Sequence, residues 1–159
     1  GRNAMLVYVI DINGHPLMPT ERFGKVRRML RDGQAKVVRR EPFTIKLLYE
    51  PKTNITQPVT LGVDTGSAYI GTAAIANNTV LYASEVQIRN DISKKMDARR
   101  VSRRNRRNRK TRYRKPRFLN RGNSIKKDRF SPTMVSKINS HIREIEFIKS
   151  ILPISILVL

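Results

Sequence analysis

Cysteine is absent from this chain, which excludes a disulfide scaffold, a zinc knuckle and any thiol nucleophile. Carboxylates are scarce: 12 Asp and Glu stand against 33 Lys and Arg, for a net charge of +21 and a pI near 11.3. Histidine occurs twice, at His15 and His141, and neither has a spaced partner for a metal or a triad, so both read as structural. Long apolar runs are missing too. The longest, ILPISILVL, is interrupted by Pro153 and Ser155, and the opening GRNAM carries no apolar region, so neither a membrane span nor a signal peptide is expected. Gly1 to Ala4 read as an addition ahead of a natural start at Met5. What remains is a reducing, cytoplasmic setting and a polyanionic partner, nucleic acid or an anionic surface.

The positive charge is concentrated. From Lys94 to Arg117, 14 of the 24 residues are Lys or Arg. From Arg89 to Arg129 there are 19 basic and 3 acidic residues, +16 of the total +21. Read as a helix, Arg99, Arg103 and Arg107 share one side, Arg100 and Arg104 lie beside them, and Arg106, Lys110 and Arg114 wrap around, with Arg109 in the same run. No apolar face is left. Six like-charge i,i+4 pairs, each costing ~0.2–0.5 kcal/mol, oppose such a helix by roughly 1–3 kcal/mol until a polyanion neutralises them. Arginine outnumbers lysine here, and its planar fork suits bidentate phosphate contacts. The plainer reading is a disordered basic arm or a localisation signal.

The core must come from residues 5–88 and 131–159, and the pattern there implies an α+β / α/β chain. MLVYVID, Met5 to Asp11, reads as a strand and Asn13-Gly14 as a tight reversal. Pro16 to Pro19 reads as an extended connector and Thr20 as the N-cap of a helix that Gly33 stops. Phe23, Val26, Met29 and Leu30 form its apolar face, while Arg22, Lys25, Arg27, Arg28 and Arg31 stand outside. Strands at Ala35–Arg39 and Thr44–Tyr49 complete a small βαββ N-terminal domain at 5–50. After the linker PKTNITQP, three strands at Val59–Asp64, Ala68–Ile75 and Val80–Ile88 form an antiparallel meander, the opening of a partial ribonuclease H-like sheet. Ser131-Pro132 starts a helix with an apolar stripe at Val135, Ile138, Ile142, Ile145, Ile148 and Ile151, whose Glu144 and Glu146 read as solvated charges. ISILVL, Ile154 to Leu159, reads as a fully buried strand.

One stretch has the look of chemistry. LGVDTGS, Leu61 to Ser67, ends a strand in Asp64, which can hold a hard cation, while Gly66 permits close approach of backbone or substrate. Two chemistries use such a string: metal-dependent phosphodiester hydrolysis, and an aspartic protease of the retropepsin kind, which pairs two such Asp residues. A lone Asp capping a turn is the third possibility.

PLMPT with its basic helix, then LGVDTGS, then RRVSRRNRRNRK, taken in that order, resembles the N-terminal part of the IscB family, transposon-encoded RNA-guided endonucleases. The resemblance implies a PLMP domain at 5–50, a first RuvC segment at 59–88, an Arg-rich bridge helix at 92–115, and a RuvC helix with the start of the next strand at 131–159. It implies that Asp64 is the first RuvC ligand of a two-metal Mg2+ site. It also implies that Arg99, Arg100, Arg103, Arg104, Arg106 and Arg107 grip guide RNA, with target DNA reached through the RNA heteroduplex. Arg109, Lys110, Arg114, Arg27 and Arg28 are further nucleic-acid candidates. The family's second RuvC carboxylate and its HNH domain are not in this sequence, so the chain by itself is expected to bind RNA rather than cut. A non-catalytic RNA-binding protein is the alternative.

Overall fold

The computed structural model describes residues 5–109 and 130–159. The fold is α+β, with two four-stranded mixed sheets and three helices among the described residues. They divide into two compact units, one holding the chain up to Gln87 and from His141 onward, the other Ile88–Ser140.

The first sheet is built from β1 (Val7–Ile10), β2 (Pro16–Thr20), β3 (Ala35–Arg39) and β4 (Thr44–Leu47), with α1 (Phe23–Arg31) between β2 and β3. Its order is β2-β1-β4-β3, with β1 parallel to β4 and both outer pairs antiparallel. The reversal at Asn13-Gly14 forms as expected: Gly14 takes a φ of +89° and its N–H donates to the Asp11 carbonyl at 3.1 Å. His15 is structural here. Its backbone N–H donates to the buried Asp11 carboxylate at 2.8 Å, and its Nδ1 lies 3.2 Å from the other oxygen. Burial alone would push the Asp11 carboxyl up, but these His15 bonds and one from the Asn13 backbone together bring it below its ordinary value.

Three expectations for this region are corrected. The segment from Pro16 is a strand rather than a connector, with Leu17 opposite Val9 and Thr20 opposite Val7, so the unit is ββαββ. Its prolines are tolerated because β2 is an edge strand, where a missing N–H breaks no inner ladder. Helix α1 starts at Phe23 rather than after Thr20; its N-cap, Arg22, makes no side-chain cap, and the Thr20 hydroxyl accepts from the Arg22 N–H at 3.1 Å. The C-terminus behaves as expected. Gly33 at φ +71° lets Gln34 donate to Met29 at 2.8 Å, the crossed bond of a Schellman ending. Val7, Val9, Val26, Met29, Ile45 and Leu47 form the core beneath α1.

The second sheet holds β5 (Val59–Thr65), β6 (Tyr69–Ala76), β7 (Thr79–Gln87) and β8 (Ile154–Val158), in the order β7-β6-β5-β8. The first three form the expected antiparallel meander, turned at Asn77 and Asn78 with φ of 45° and 61°, and β8 lies parallel to β5. Val59, Leu61 and Val63 on β5 and Ile70, Thr72 and Ala74 on β6 alternate to one buried face. Helix α3 (Pro132–Ile151) opens as expected, the Ser131 hydroxyl accepting from the Met134 N–H at 3.3 Å.

Three further expectations change here. Of the α3 stripe, Ile148 and Ile151 are buried, but Val135, Ile138 and Ile142 stay about two-fifths exposed. Glu144 is not a solvated charge: it accepts from the Ser84 hydroxyl at 2.8 Å and lies 3.4 Å from the Tyr82 hydroxyl. Strand β8 is not buried, since it has a neighbour on one side alone among the described residues; Ile156 and Val158 are more than half exposed. The two sheets are tied at Tyr8, whose hydroxyl donates to the Leu81 carbonyl at 2.6 Å. Edge contacts run on from Tyr8 to Tyr82 and from Tyr82 to Phe147, with the Arg39 guanidinium 4.4 Å over the Phe147 ring. No helix among the described residues is long and apolar enough to cross a membrane.

Candidate nucleic-acid interface and carboxylate site

Helix α2 (Ile92–Arg109) carries the arginine run and buries no residue. Its start is fixed by Asp91, whose carboxylate is bound by the Arg89 guanidinium and by Lys95 Nζ at 2.7 Å. Those two cations hold the Asp91 carboxyl well below the usual carboxylate range, the Arg89 hydrogen bond contributing most. Beyond this anchor the arginines come as doublets, 99/100, 103/104 and 106/107, spaced four and three residues apart. At 3.6 residues per turn, all six fall within an arc of about 160° and advance roughly 12 Å along the axis. Ala98, Val101, Asn105 and Asn108 occupy the opposite side. Arg109 also lies off the doublet face. All of these arginines are exposed. Lys110 and Arg114 lie outside the described residues.

Arg27 and Arg28 stand on α1 in the other unit, exposed together with Arg22, Lys25 and Arg31, the last of which pairs with Asp32 at 3.0 Å. Their helix is short and amphipathic, its apolar side packed on the first sheet, which leaves the basic side to solvent.

Asp64 is the penultimate residue of β5 and is exposed. It pairs across the ladder with Gly71 of β6, and Gly71 pairs with Glu85 of β7. Opposed residues point to the same face, so two carboxylates stand in one row, about 10 Å apart at Cα, with no side chain between them. This row lines a cavity of about 670 Å³ that Tyr69 and Val158 also border. Behind Asp64, the Tyr69 carbonyl packs against Gly66 so closely that no side chain fits there. The sequence motif located Asp64 and the tight approach at Gly66. Glu85 carries no sequence motif, and only the strand register reveals its alignment with Asp64. Among the described residues, no three His, Cys, Asp or Glu side chains gather into a metal-holding group.

No curated protein matches the chain in sequence. A family model, that of the RRXRR protein, matches residues 7–159, and Arg103-Arg104-Asn105-Arg106-Arg107 spells that pattern at the centre of the doublet face. The chain belongs to the RRXRR protein family.

Proposed function

We propose that this chain is the RNA-binding N-terminal portion of an RNA-guided DNA endonuclease of the IscB kind. The RRXRR family is associated with nucleases of that type. The observation that carries the reading is the doublet face of α2: six arginines on one side of a helix, with small and polar residues behind them, suit one phosphate backbone rather than a diffuse anionic cloud. In this reading residues 5–50 are a PLMP domain, 59–88 a first RuvC segment, 92–115 the bridge helix and 131–159 the approach to the next RuvC strand. Guide RNA is the direct partner and target DNA is reached through its heteroduplex with that RNA, in a cytoplasmic, nucleoid-associated setting.

The order β7-β6-β5-β8 supports a ribonuclease H-like reading of the second sheet, because Asp64 lies near the C-terminal end of the strand that has an antiparallel neighbour on one side and a parallel one on the other. The carboxylate fits a hard cation: it is exposed, and Gly71 opposite leaves room in front of it. Asp64 would then be one ligand of a Mg2+ site. Bound Mg2+ supplies charge stabilisation and an activated water for phosphodiester hydrolysis. Because Gly62 lies opposite Val158 in the parallel β5–β8 pair, the position one beyond Leu159 falls beside Asp64. We assign the second carboxylate to a continuation of β8 in a longer protein.

The test is to purify the chain through high salt, extract the nucleic acid that stays bound and sequence it. A discrete structured RNA encoded beside the gene supports the guide reading. Heterogeneous RNA supports the alternative of a non-catalytic RNA-binding protein, and no RNA removes both.

A further inference from the structure

Beside α1 lies a second cavity, of about 300 Å³, with a floor of Val7, Val26, Leu30 and Phe43. Its exposed lining includes Met5, Phe23, nearly half exposed at the first position of the helix, and Arg27, one turn later. Residues 21–32 carry five cations against two carboxylates, and one cation of the five, Arg31, is paired with Asp32. By spacing, Phe23 belongs to the apolar face of the helix and Arg27 to its basic surface. The structure joins them in one apolar recess with a positive lip.

We propose that this recess takes a single unstacked base of a bound RNA, with the base against Phe23 and its phosphate on Arg27. An apolar floor, an exposed aromatic ring and an adjoining guanidinium are the chemistry that holds a splayed-out nucleotide, since every base has a π-face and every nucleotide of the strand carries a phosphate anion. The volume sits at the small end of ligand sites, which run from roughly 300 to 1,000 Å³. An acidic amphipathic helix, the other occupant of compatible charge, needs anchors at i, i+4 and i+7 and so a longer groove than this one. The inference deepens the RNA-binding reading and rests on it, while naming a contact that α2 does not make.

The probe is a short single-stranded RNA carrying 5-iodouracil at one position, cross-linked by light to the full chain and mapped by mass spectrometry, alongside the same RNA with that position abasic. The expected cross-link is to Phe23 or Phe43. Phe23→Ala and the abasic RNA should each weaken binding by about five- to 150-fold, the range of a lost base stack. Phe23→Tyr, which keeps the stacking face, should retain affinity and so separates a lost contact from a lost fold. RNA bound with unchanged affinity by Phe23→Ala, with cross-links confined to α2, overturns the recess and leaves the function standing. Self-association that Phe23→Ala abolishes while RNA affinity is unchanged makes the occupant a second copy and also overturns it. Failure of the unmodified chain to bind any RNA removes the proposed function itself, and the recess with it.

Discussion

Asp64 and Gly71 face each other across the β5–β6 ladder, and a Cβ added to Gly71 would stand 3.4 Å from the Asp64 Cβ. That distance is ordinary packing, so the strand pair tolerates a side chain there, but a large one would fill the space in front of the carboxylate. The proposed metal role predicts that Mn2+ broadens the NMR signals of residues 62–65. It predicts that Asp64→Asn abolishes the broadening and that Gly71→Leu strongly reduces it while the sheet stays folded. Equal broadening in Asp64→Asn removes Asp64 from the metal.

The turn behind Asp64 has no such tolerance. The Tyr69 carbonyl oxygen occupies the space that a side chain at Gly66 would need, and it is backbone that cannot rotate away. Gly66→Ala should therefore destabilise the fold by ~1–3 kcal/mol, the range for forced overpacking, read as a lower urea midpoint. Gly24, with open space around the same added atom, is the control, and Gly24→Ala should be neutral or slightly stabilising. If both variants unfold at the wild-type midpoint, the close approach at Gly66 has no energetic weight.

The strands of both sheets were legible because β-branched runs, Asn77-Asn78 and Asn13-Gly14 are local signals. Apart from the local misplacement of the α1 start, the errors share one cause: they concern what lies beside an element rather than within it. Pro16 and Pro19 look like breakers until β2 is known to be an edge. Glu144 looks solvated until Ser84 is known to stand opposite, donating at 2.8 Å and in turn accepting from the Thr72 hydroxyl at 2.6 Å. Glu85 carries no motif, and its relation to Asp64 exists only through register. The doublet face of α2, by contrast, follows from spacing alone: the sequence sets Arg99, Arg103 and Arg107 on one side with Arg100 and Arg104 beside them, and the helical arc brings in Arg106, which reads there as wrapping around.

Burial, and next to it the neighbouring Tyr82 phenol, push the Tyr8 hydroxyl up to about 12. The proton it keeps is the one donated to the Leu81 carbonyl. A folded value above the ordinary 10.0 gives stability that is whole below pH 10 and lost as pH rises through about 12. Tyr8→Phe should lower stability at pH 8 by about 0.5–1.5 kcal/mol, more if the Leu81 carbonyl is left dry. The gap between the two proteins should narrow above pH 10, and a gap that stays constant to pH 12 dissociates Tyr8 from that titration.

The doublets of α2 make the sharpest claim about partners. Replacing Arg103 and Arg107 with Ala takes two cations from the middle of the arginine face and leaves the Arg89–Asp91–Lys95 anchor intact. If each meets one phosphate, the slope of log affinity against log salt should flatten by about 0.7–0.9 per lost contact, with weakening uniform across RNA sequences. The matched control is Asn105→Ala, on the opposite side of the helix, which should leave the slope unchanged. Because Asn105→Ala removes no charge, a slope that moves equally with it would show that the change reports a disturbed helix rather than lost phosphate contacts. Removing Arg109, which lies off that face, should likewise flatten the slope less than removing any one doublet arginine, and this ranking separates an ordered helix on a backbone from a basic arm in which every arginine counts the same.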